Sequence, residues 1–565
     1  MSRSIWSGIA LIPLFVAAVG CAPAGTSSDA QRPSESRSSR TVVVVYRSQT
    51  TSLAAKPLRG DAGTIASGSQ FFNASLDTRD EAGEPTPRLA EGLPQLHTDS
   101  WRVFPDGRME TAYRLKPNLT WHDGATFTAE DFVFAWQVYA TPAFGTNAAP
   151  ISFMEQVLAP DPRTLVIRWR EPYPEAGVLE AAGFPPLPRH VLETSFQDLS
   201  ADVFVGLPFW VGDYIGLGPY KVDRLEHGAF IDGTAFDGYV LGRPKIDKVR
   251  LTFIADTNTV MANMLAGEAH FVTDFLIGTE EARTLEHEWA KRGSAGVINE
   301  SPTQMRMTGF QFRPDAVNPP LLRDVRVRKG LAHAIDTQSA LDAMTYGKGK
   351  IVPVPIPENH DYWRAVEGIP TYNYDPLAAR RLLAEAGLVR VPDGLYQIAG
   401  GGPFRLEYGF IQQAANEREN AIFVDSLRRN GVDAVPRAYT ALELRDPEKR
   451  NLYPALFTGT GTRLTELTIE EITAPENRWQ GRNRVGWESE EFSQLRRIFQ
   501  VTLEPAERTR LISSMARIFY EELPGIPHYL TTVVNAWSPD LVKVVGRSNP
   551  NIQPLEHVHN WEWRS

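Results

Sequence analysis

Hydrophobic positions in the first third of the chain repeat with the period of β-strands. The apolar run TVVVVYR at residues 41–47 has the length of one buried strand. Residues 101–103 and 109–115 alternate apolar and polar side chains, and the turn sequence PDG between them predicts a hairpin or two neighbouring strands. Alternation recurs at residues 164–169, where we expect another strand.

Helical periodicity appears between these strands and again further along the chain. Thr128 is a predicted N-cap, because an acidic residue follows three positions later and an apolar face lies beyond it. Asp375 and Gly387 are predicted to begin and end a second helix. Residues 258–267 and 324–336 predict two more. Since strands and helices intermix throughout, the pattern predicts a mixed α/β or α+β protein.

The amino terminus has the layout of a secretory signal peptide over residues 1–20. Arg3 precedes an apolar run at residues 9–19, which is shorter than the roughly 20 residues that span a bilayer. Cys21 follows and is the only cysteine in the chain, so it cannot form an internal disulfide. The sequence AVGC resembles a bacterial lipobox, which predicts lipid attachment at Cys21. Ser, Pro, Gly, Ala and charged residues together dominate residues 21–40, which are predicted to be a flexible tether.

Composition and charge exclude several functional classes. The 565 residues are 42% hydrophobic and 22% charged, which is ordinary for a globular protein with several units of domain size. The net charge is −10 and the sequence has no basic tract longer than short clusters such as Arg380-Arg381, so it does not predict nucleic-acid binding.

The common catalytic and metal-binding motifs are missing from the sequence. The sequence has no G-x-S-x-G elbow, no completed phosphate-binding glycine loop and no H-E-x-x-H pair. Its glycine-rich segments are typical of plain turns. The HVH sequence at residues 557–559 and the WHDG sequence at residues 121–124 offer ligand atoms, so a metal at HVH is an open alternative, whereas a polar turn is the preferred interpretation of WHDG. We therefore expect no catalytic residue, no metal and no cofactor.

Aromatic residues are the remaining chemical signal, with 13 Trp, 17 Tyr and 27 Phe. Residues 204–220 concentrate Phe209, Trp210 and Tyr214 among glycines and prolines. Flat rings on such a loop suit a pocket in which the backbone approaches a ligand closely. Loop packing at a domain junction is the alternative.

Six blocks of the sequence occur in the order of one known family. They are residues 87–137 with WHDGATFTAEDFV, 216–222 (GLGPYKV), 242–272 with the strand-then-helix pattern, 321–336 (LLRDVRVRKGLAHAID), 374–388 (YDPLAARRLLAEAGL) and 507–529 with IPHY. Together they resemble the extracytoplasmic solute-binding proteins of ABC importers, family 5, which includes dipeptide-, oligopeptide- and nickel-binding proteins.

The resemblance implies a type II periplasmic-binding-protein fold. Two α/β lobes are joined by two crossing segments, and a further lobe is inserted into the first. Mapped onto this chain after the signal peptide and tether, the expected units are lobe I at residues 41–65, 205–298 and 524–565, the inserted lobe II at 66–204, and lobe III at 299–523.

The resemblance also implies what the protein does. It would not be an enzyme, but would capture a peptide or peptide-like small solute in the interlobe cleft by hinge closure. It would work as a monomer outside the cytoplasm, anchored by lipid to the cell membrane, and dock on an ABC permease and ATPase complex. The alternatives are a secreted lipoprotein hydrolase, and a sensory or chaperone lipoprotein with the same fold.

One departure concerns the ligand. Peptide-binding members carry an aspartate motif in the third lobe that binds the peptide's ammonium group, and the corresponding residues 455–472 lack it. Arg463 brings positive charge there instead, so an anionic or uncharged solute is open, as is an amine held by Glu466 or another acid. The predicted cleft residues are Phe209, Trp210, Tyr214, Arg463, Trp479 and Tyr529, with packing as the alternative for each.

Overall fold

The computed structural model describes residues 40–50, 52–58, 68–146, 148–358, 360–479, 481–548 and 551–564. The side chains of residues 181, 182, 303 and 304 are not described. The predicted signal peptide, Cys21 and all of the predicted tether except Arg40 lie outside the described residues.

Within the described residues, one mixed sheet contains ten strands. Their order is β16 (Asp433–Tyr439), β15 (Arg405–Ile411), β17 (Leu456–Thr460), β12 (Val297–Phe310), β18 (Gly525–Trp537), β11 (Phe271–Val272), β1 (Thr41–Tyr46), β10 (Lys248–Phe253), β9 (Phe230–Ala235) and β8 (Tyr220–Glu226). The strands β12 and β18 are the longest and lie in the middle.

The central pair divides this sheet into two halves. The amino half-sheet comprises β8, β9, β10, β1 and β11, and it joins β18 near Trp537. The carboxyl half-sheet comprises β15, β16 and β17, and it joins β12 between Arg306 and Phe310. The antiparallel strands β12 and β18 run through both halves. Their register shifts between Pro302 and Gln304 and again between Arg306 and Met307, so the pairing is irregular where the halves meet.

A separate four-stranded sheet lies earlier in the chain. Its order is β4 (Trp101–Val103), β5 (Met109–Arg114), β7 (Thr164–Trp169) and β6 (Met154–Asp161). Short two-stranded pairs complete the described strands: β2 (Asp77–Arg79) with β3 (Pro85–Pro87), β13 (Leu388–Arg390) with β14 (Tyr396–Ile398), and β19 (Leu541–Val542) with β20 (Glu562–Trp563).

Helices flank the strands. They are α1 (Ser69–Phe72), α2 (Ala129–Ala140), α3 (Glu180–Gly183), α4 (Arg189–Asp198), α5 (Ala201–Val205), α6 (Thr257–Ala266), α7 (Thr279–Lys291), α8 (Val325–Ala334), α9 (Thr337–Thr345), α10 (Trp363–Val366), α11 (Pro376–Glu385), α12 (Ala414–Arg429), α13 (Pro447–Asn451), α14 (Glu490–Val501) and α15 (Pro505–Glu522). Short 3-10 turns connect several of them.

Local sequence signals account for the helix boundaries. The backbone N–H of Thr128 donates to Asp131 at 2.9 Å, so the predicted cap of α2 is a capping box. Asp375 accepts from the first two free N–H groups of α11, and Gly387 follows its end with a φ of 87°. The predicted strands at β1, β4, β5 and β7 are confirmed, with β4 and β5 paired as a hairpin. None of the described helices is both long and apolar enough to cross a membrane.

The buried apolar side chains group into separate cores. The largest core joins the four-stranded sheet to the amino half-sheet, and it includes Val44, Trp169, Trp210 and Leu251. The carboxyl half-sheet has its own cores on its two faces. The four-stranded sheet and the amino half-sheet are therefore packed as one body, while the carboxyl half-sheet packs around different residues.

Candidate functional site

Strand directions place the two half-sheets with their carboxyl ends toward one another. Strands β1, β10 and β11 run parallel to β12, toward the carboxyl half-sheet. Strands β15, β16 and β17 run parallel to β18, toward the amino half-sheet. Ligands of α/β sheets bind outside the carboxyl ends of strands. The loops after β1, β11, β15 and β17 are therefore the candidate site.

Polar contacts bridge the parts of the molecule around these loops. The Arg418 guanidinium of α12 donates to Glu280 of α7 at 2.9 Å. On α15, the buried Arg508 donates to Glu175 of the four-stranded-sheet region at 2.7 Å. His97 of that region lies 3.1 Å from Glu504. The two packed bodies are thus in contact on more than one side, which partly encloses the facing strand ends.

The structure places three predicted ligand contacts inside the largest core. Phe209, Trp210 and Tyr214 are each less than 8% exposed. Their rings pack on one another with centroids 5.0–5.2 Å apart, and the Trp210 indole N–H donates to the Phe204 carbonyl at 2.7 Å. The Tyr214 hydroxyl donates to Asn73. Packing and internal hydrogen bonds therefore account for all three rings.

The glycines of this aromatic segment serve close backbone packing. A Cβ on Gly216 would lie 1.9 Å from the Phe72 carbonyl oxygen, and one on Gly218 would lie 2.3 Å from the Phe72 carbonyl carbon. His122 holds the same loop, because its Nδ1 accepts from the Gly216 N–H at 3.2 Å and its Nε2 donates to the Gly218 carbonyl at 3.0 Å. Burial lowers the pKa of His122 to about 4. A neutral histidine therefore joins the WHDG and GLGP motifs.

Tyr529, another predicted contact, lies in a buried polar network on the central strands. Its hydroxyl donates to Glu419, whose carboxylate also accepts from Arg306 and is almost fully buried. Burial, and then the Glu419 charge, raise the pKa of Tyr529. On the preceding residue, burial and the Arg306 charge lower the pKa of His528 to about 3. This network ties α12 to the place where the half-sheets meet.

Arg463 and Trp479 lie at the surface. Arg463 is exposed directly after β17, at one of the facing strand ends. Trp479 is half-buried in the loop that follows, where Arg478 and Trp479 have φ values of 54° and 58°. Two consecutive non-glycine residues in the left-handed region cost roughly 1–3 kcal/mol each, and such strain is concentrated at functional sites. The structure therefore separates these two residues from the four buried aromatic residues.

Two exposed aromatic residues were not predicted from the sequence. Phe275 follows β11 and Tyr346 follows α9, and each is 56% exposed with a left-handed backbone. The Arg47 guanidinium, after β1, donates to the Phe275 carbonyl at 2.7 Å and fixes that loop at the facing strand ends. The local sequence TDFLIG carries no turn glycine before Phe275, so only the structure identifies it.

No group of three or more His, Cys, Asp or Glu side chains is arranged for a metal ion in the part of the chain that the structure describes. Burial lowers the pKa of His557, and burial and then Arg88 lower the pKa of His559 to about 4. A cavity of about 420 Å³ lies beside the four-stranded sheet, lined by Leu93, Trp101 and several prolines, away from the facing strand ends.

The chain is similar in sequence to known proteins. The family model for bacterial extracellular solute-binding proteins, family 5 Middle, matches residues 91–467. A putative ABC transporter peptide-binding protein of Brucella ovis is 27% identical over 372 residues, which cover 64% of this chain and 64% of that protein. This chain thus matches just under two thirds of the length of that relative.

Solved structures share the fold. NikA from Brucella suis in complex with Fe(III)-EDTA has a TM-score of 0.74 at 19% identity, covering 93% of this chain and 100% of that chain. AppA from Bacillus subtilis in complex with a nonapeptide has a TM-score of 0.70 at 19% identity, covering 93% and 99%. The predicted α/β fold of the type II periplasmic-binding-protein kind is thereby confirmed.

Proposed function

This chain belongs to family 5 of the bacterial extracellular solute-binding proteins, and we propose that it captures a small solute for an ABC importer. Release is without chemical change, so the protein is not an enzyme. The observation that carries this proposal is the placement of carboxyl strand ends from two separately packed bodies opposite each other.

The solute would bind between these bodies, which we propose to be the predicted lobes. We propose that lobe I with the inserted lobe II moves as one unit, since one continuous core joins them. Lobe III, residues 299–523, would close on that unit about β12 and β18. The irregular pairing at residues 302–307 supports a hinge there, because ladder hydrogen bonds are interrupted at register shifts.

The proposed solute is a peptide or a peptide-like molecule. This follows the peptide-binding relative of Brucella ovis and the nonapeptide complex of AppA. We propose that Arg463, Trp479, Phe275 and Tyr346 contact it. The exposure of Arg463, Phe275 and Tyr346 and the partial exposure of Trp479 support this, whereas we assign Phe209, Trp210, Tyr214 and Tyr529 to packing.

Membrane attachment through Cys21 completes the proposal. Acyl chains on this cysteine would hold a monomer at the outer surface of the cell membrane or its periplasmic face, beside the permease and ATPase complex. The AVGC sequence supports this step. Substituting Cys21→Ser is expected to move the protein from the membrane fraction to the aqueous fraction, and unchanged membrane recovery would contradict the anchor.

The binding proposal is tested with the mature protein. Native mass spectrometry identifies any co-purified solute, and tryptophan fluorescence is then titrated with unblocked alanine peptides of two to five residues. We expect a saturable shift with intact peptide recovered by chromatography. Absence of both a bound solute and a saturable shift would contradict solute capture, and recovery of cleaved peptide would contradict a non-enzymatic role.

A further inference from the structure

We infer that the captured solute carries an oxyanion group, a carboxylate or a phosphate, which Arg463 and Arg482 bind together. This inference rests on the proposed function and specifies the chemistry of the same site. It is drawn from two arginine side chains at the facing strand ends that form no ion pair with the described residues, and from nearby carboxylates that already accept hydrogen bonds.

The two arginines are brought together by the loops after β17. Arg463 lies three residues after the end of that strand, and the Thr462 hydroxyl donates to the Arg482 carbonyl at 3.2 Å. Both side chains are exposed. Neither guanidinium forms an ion pair with any residue that the structure describes, and neither donates a hydrogen bond there.

The loop that carries Arg482 is held rigidly. The Arg313 guanidinium donates to the Thr473 carbonyl at 2.8 Å and to the Arg484 carbonyl at 2.7 Å. The Asn483 side chain donates to the Thr468 carbonyl at 3.0 Å. A rigid loop reduces the entropy cost of holding a charged side chain toward a ligand.

The nearby carboxylates are already engaged with the protein backbone or across the interface. Glu466 accepts from the Arg463 N–H at 3.3 Å, and Glu471 accepts from the Arg482 N–H at 3.1 Å. Asp361 accepts from Asn551 at 3.4 Å. These acids orient the loops and leave both guanidinium groups available to a ligand.

Further arginines lie close to Arg482. Desolvation, and then the charges of Arg450 and Arg482, lower the pKa of Arg484 against the opposing effect of Glu466, which indicates that Arg450, Arg482 and Arg484 lie close together. Burial lowers the pKa of His360. The Asp361 charge opposes this effect, and the positive charge of Arg463 adds to it. An oxyanion would relieve this repulsion, and a guanidinium fork matches both carboxylate and phosphate geometry.

The position of this arginine pair links it to the solute. Thr460, three residues before Arg463, pairs with Arg306 at the irregular part of the central strands. The neighbouring Asp361 contacts Asn551 on the other body. An anionic group held here would therefore lie between the two bodies and be enclosed as they close.

The test uses the mature protein and alanine tripeptides that differ only in their charged ends. The probes are an N-acetylated peptide with a free carboxylate, the peptide amide with a free ammonium, the doubly blocked neutral peptide, and a doubly blocked phosphoserine tripeptide. Binding is measured by calorimetry for the wild type, Arg463→Gln with Arg482→Gln, and the matched Lys variants. Arg429→Gln, an exposed arginine on α12 paired with Asp425, is the control.

We expect the carboxylate or the phosphate probe to bind most tightly and to lose about 10- to 100-fold in the double Gln variant, as for lost charged hydrogen bonds. The Lys variants should recover part of this loss, and the control should match the wild type. Whichever anionic probe binds more tightly identifies the source of the oxyanion.

Equal binding of the neutral probe, or carboxylate and phosphate binding that survives the double Gln substitution, would overturn this inference and leave solute capture intact. So would a co-purified solute without an acidic group. A wild-type protein that carries no solute and binds none of the four probes contradicts both the inference and the proposed function.

Discussion

Two glycine-containing loop segments, one with aromatic residues and one with arginines, differ in how far their side chains are buried. Residues 204–220 contain Trp210 and Tyr214, which are buried and bonded within the largest core. Residues 460–486 contain Arg463 and Arg482, which are exposed and unpaired within the described structure. Both segments were predicted to contribute ligand contacts. The difference shows that partners within the fold, rather than residue type, decide which side chains remain available to a solute.

The largest expected effect comes from the glycines of the first segment. Gly216→Ala would place a methyl group 1.9 Å from the Phe72 carbonyl, so we expect a loss of about 4 kcal/mol or more in the free energy of unfolding. Urea denaturation followed by circular dichroism measures this. Gly402→Ala is the control, because its Cβ would meet no atom within 4 Å. A Gly216→Ala protein as stable as the control would contradict the proposed close packing.

Two tryptophans sharpen the contrast directly. Trp210→Ala is expected to lower the free energy of unfolding by about 3–5 kcal/mol, because it empties a core position. Trp479→Ala should cost under about 1 kcal/mol, since the ring is only half-buried, but it should weaken solute binding. Urea midpoints and peptide titrations distinguish the two. If Trp210→Ala is instead stable but defective in binding, the aromatic segment at residues 204–220 contributes to ligand binding and not only to packing.

Acid should destabilise the fold through His122. Its pKa is about 4 when folded and near 6.5 when unfolded, so the unfolded chain binds more protons between these values. The contribution of His122 to the free energy of unfolding is therefore fully present above pH 6.5. It falls by up to about 1.4 kcal/mol per pH unit as the pH drops toward 4. Urea midpoints at pH 7.5 and 5.0 test this.

His122→Gln provides the comparison for that pH dependence. The variant should be less stable at pH 7.5, because the hydrogen bonds to Gly216 and Gly218 are altered. It should lose less stability than the wild type between pH 7.5 and 5.0. His528 contributes in the same direction in both proteins, so its effect cancels. If both proteins lose the same free energy of unfolding between pH 7.5 and 5.0, His122 does not cause the pH dependence.

The smallest expected effect belongs to the second segment. Arg463→Gln should change the free energy of unfolding by less than about 0.5 kcal/mol, because the exposed guanidinium has no described partner to lose. Thermal unfolding of the ligand-free protein measures this change. A loss above 2 kcal/mol would assign Arg463 to the fold itself and make the two segments alike.

Much of the fold was predictable because it depends on neighbouring residues. The caps at Thr128 and Asp375 involve residues within three positions, and both are confirmed. The hairpin at residues 101–115 follows from alternation and a turn signal. The cleft residues were less predictable. The Tyr529 hydroxyl, for example, is buried and donates a hydrogen bond to Glu419, which lies 110 residues away. No local pattern around Tyr529 indicates that partner.

The sequence by itself determined the α/β class, the principal strands and helices and the family resemblance, because periodicity, caps and motif order are local properties of the chain. Only the tertiary structure decided which side chains are buried in the core and which remain available to a solute. The Tyr214 hydroxyl donates to Asn73, which lies 141 residues away, whereas the Arg463 guanidinium forms no ion pair with the described residues. That distinction depends on long-range contacts, which burial and hydrogen bonding establish only when distant strands and loops are assembled.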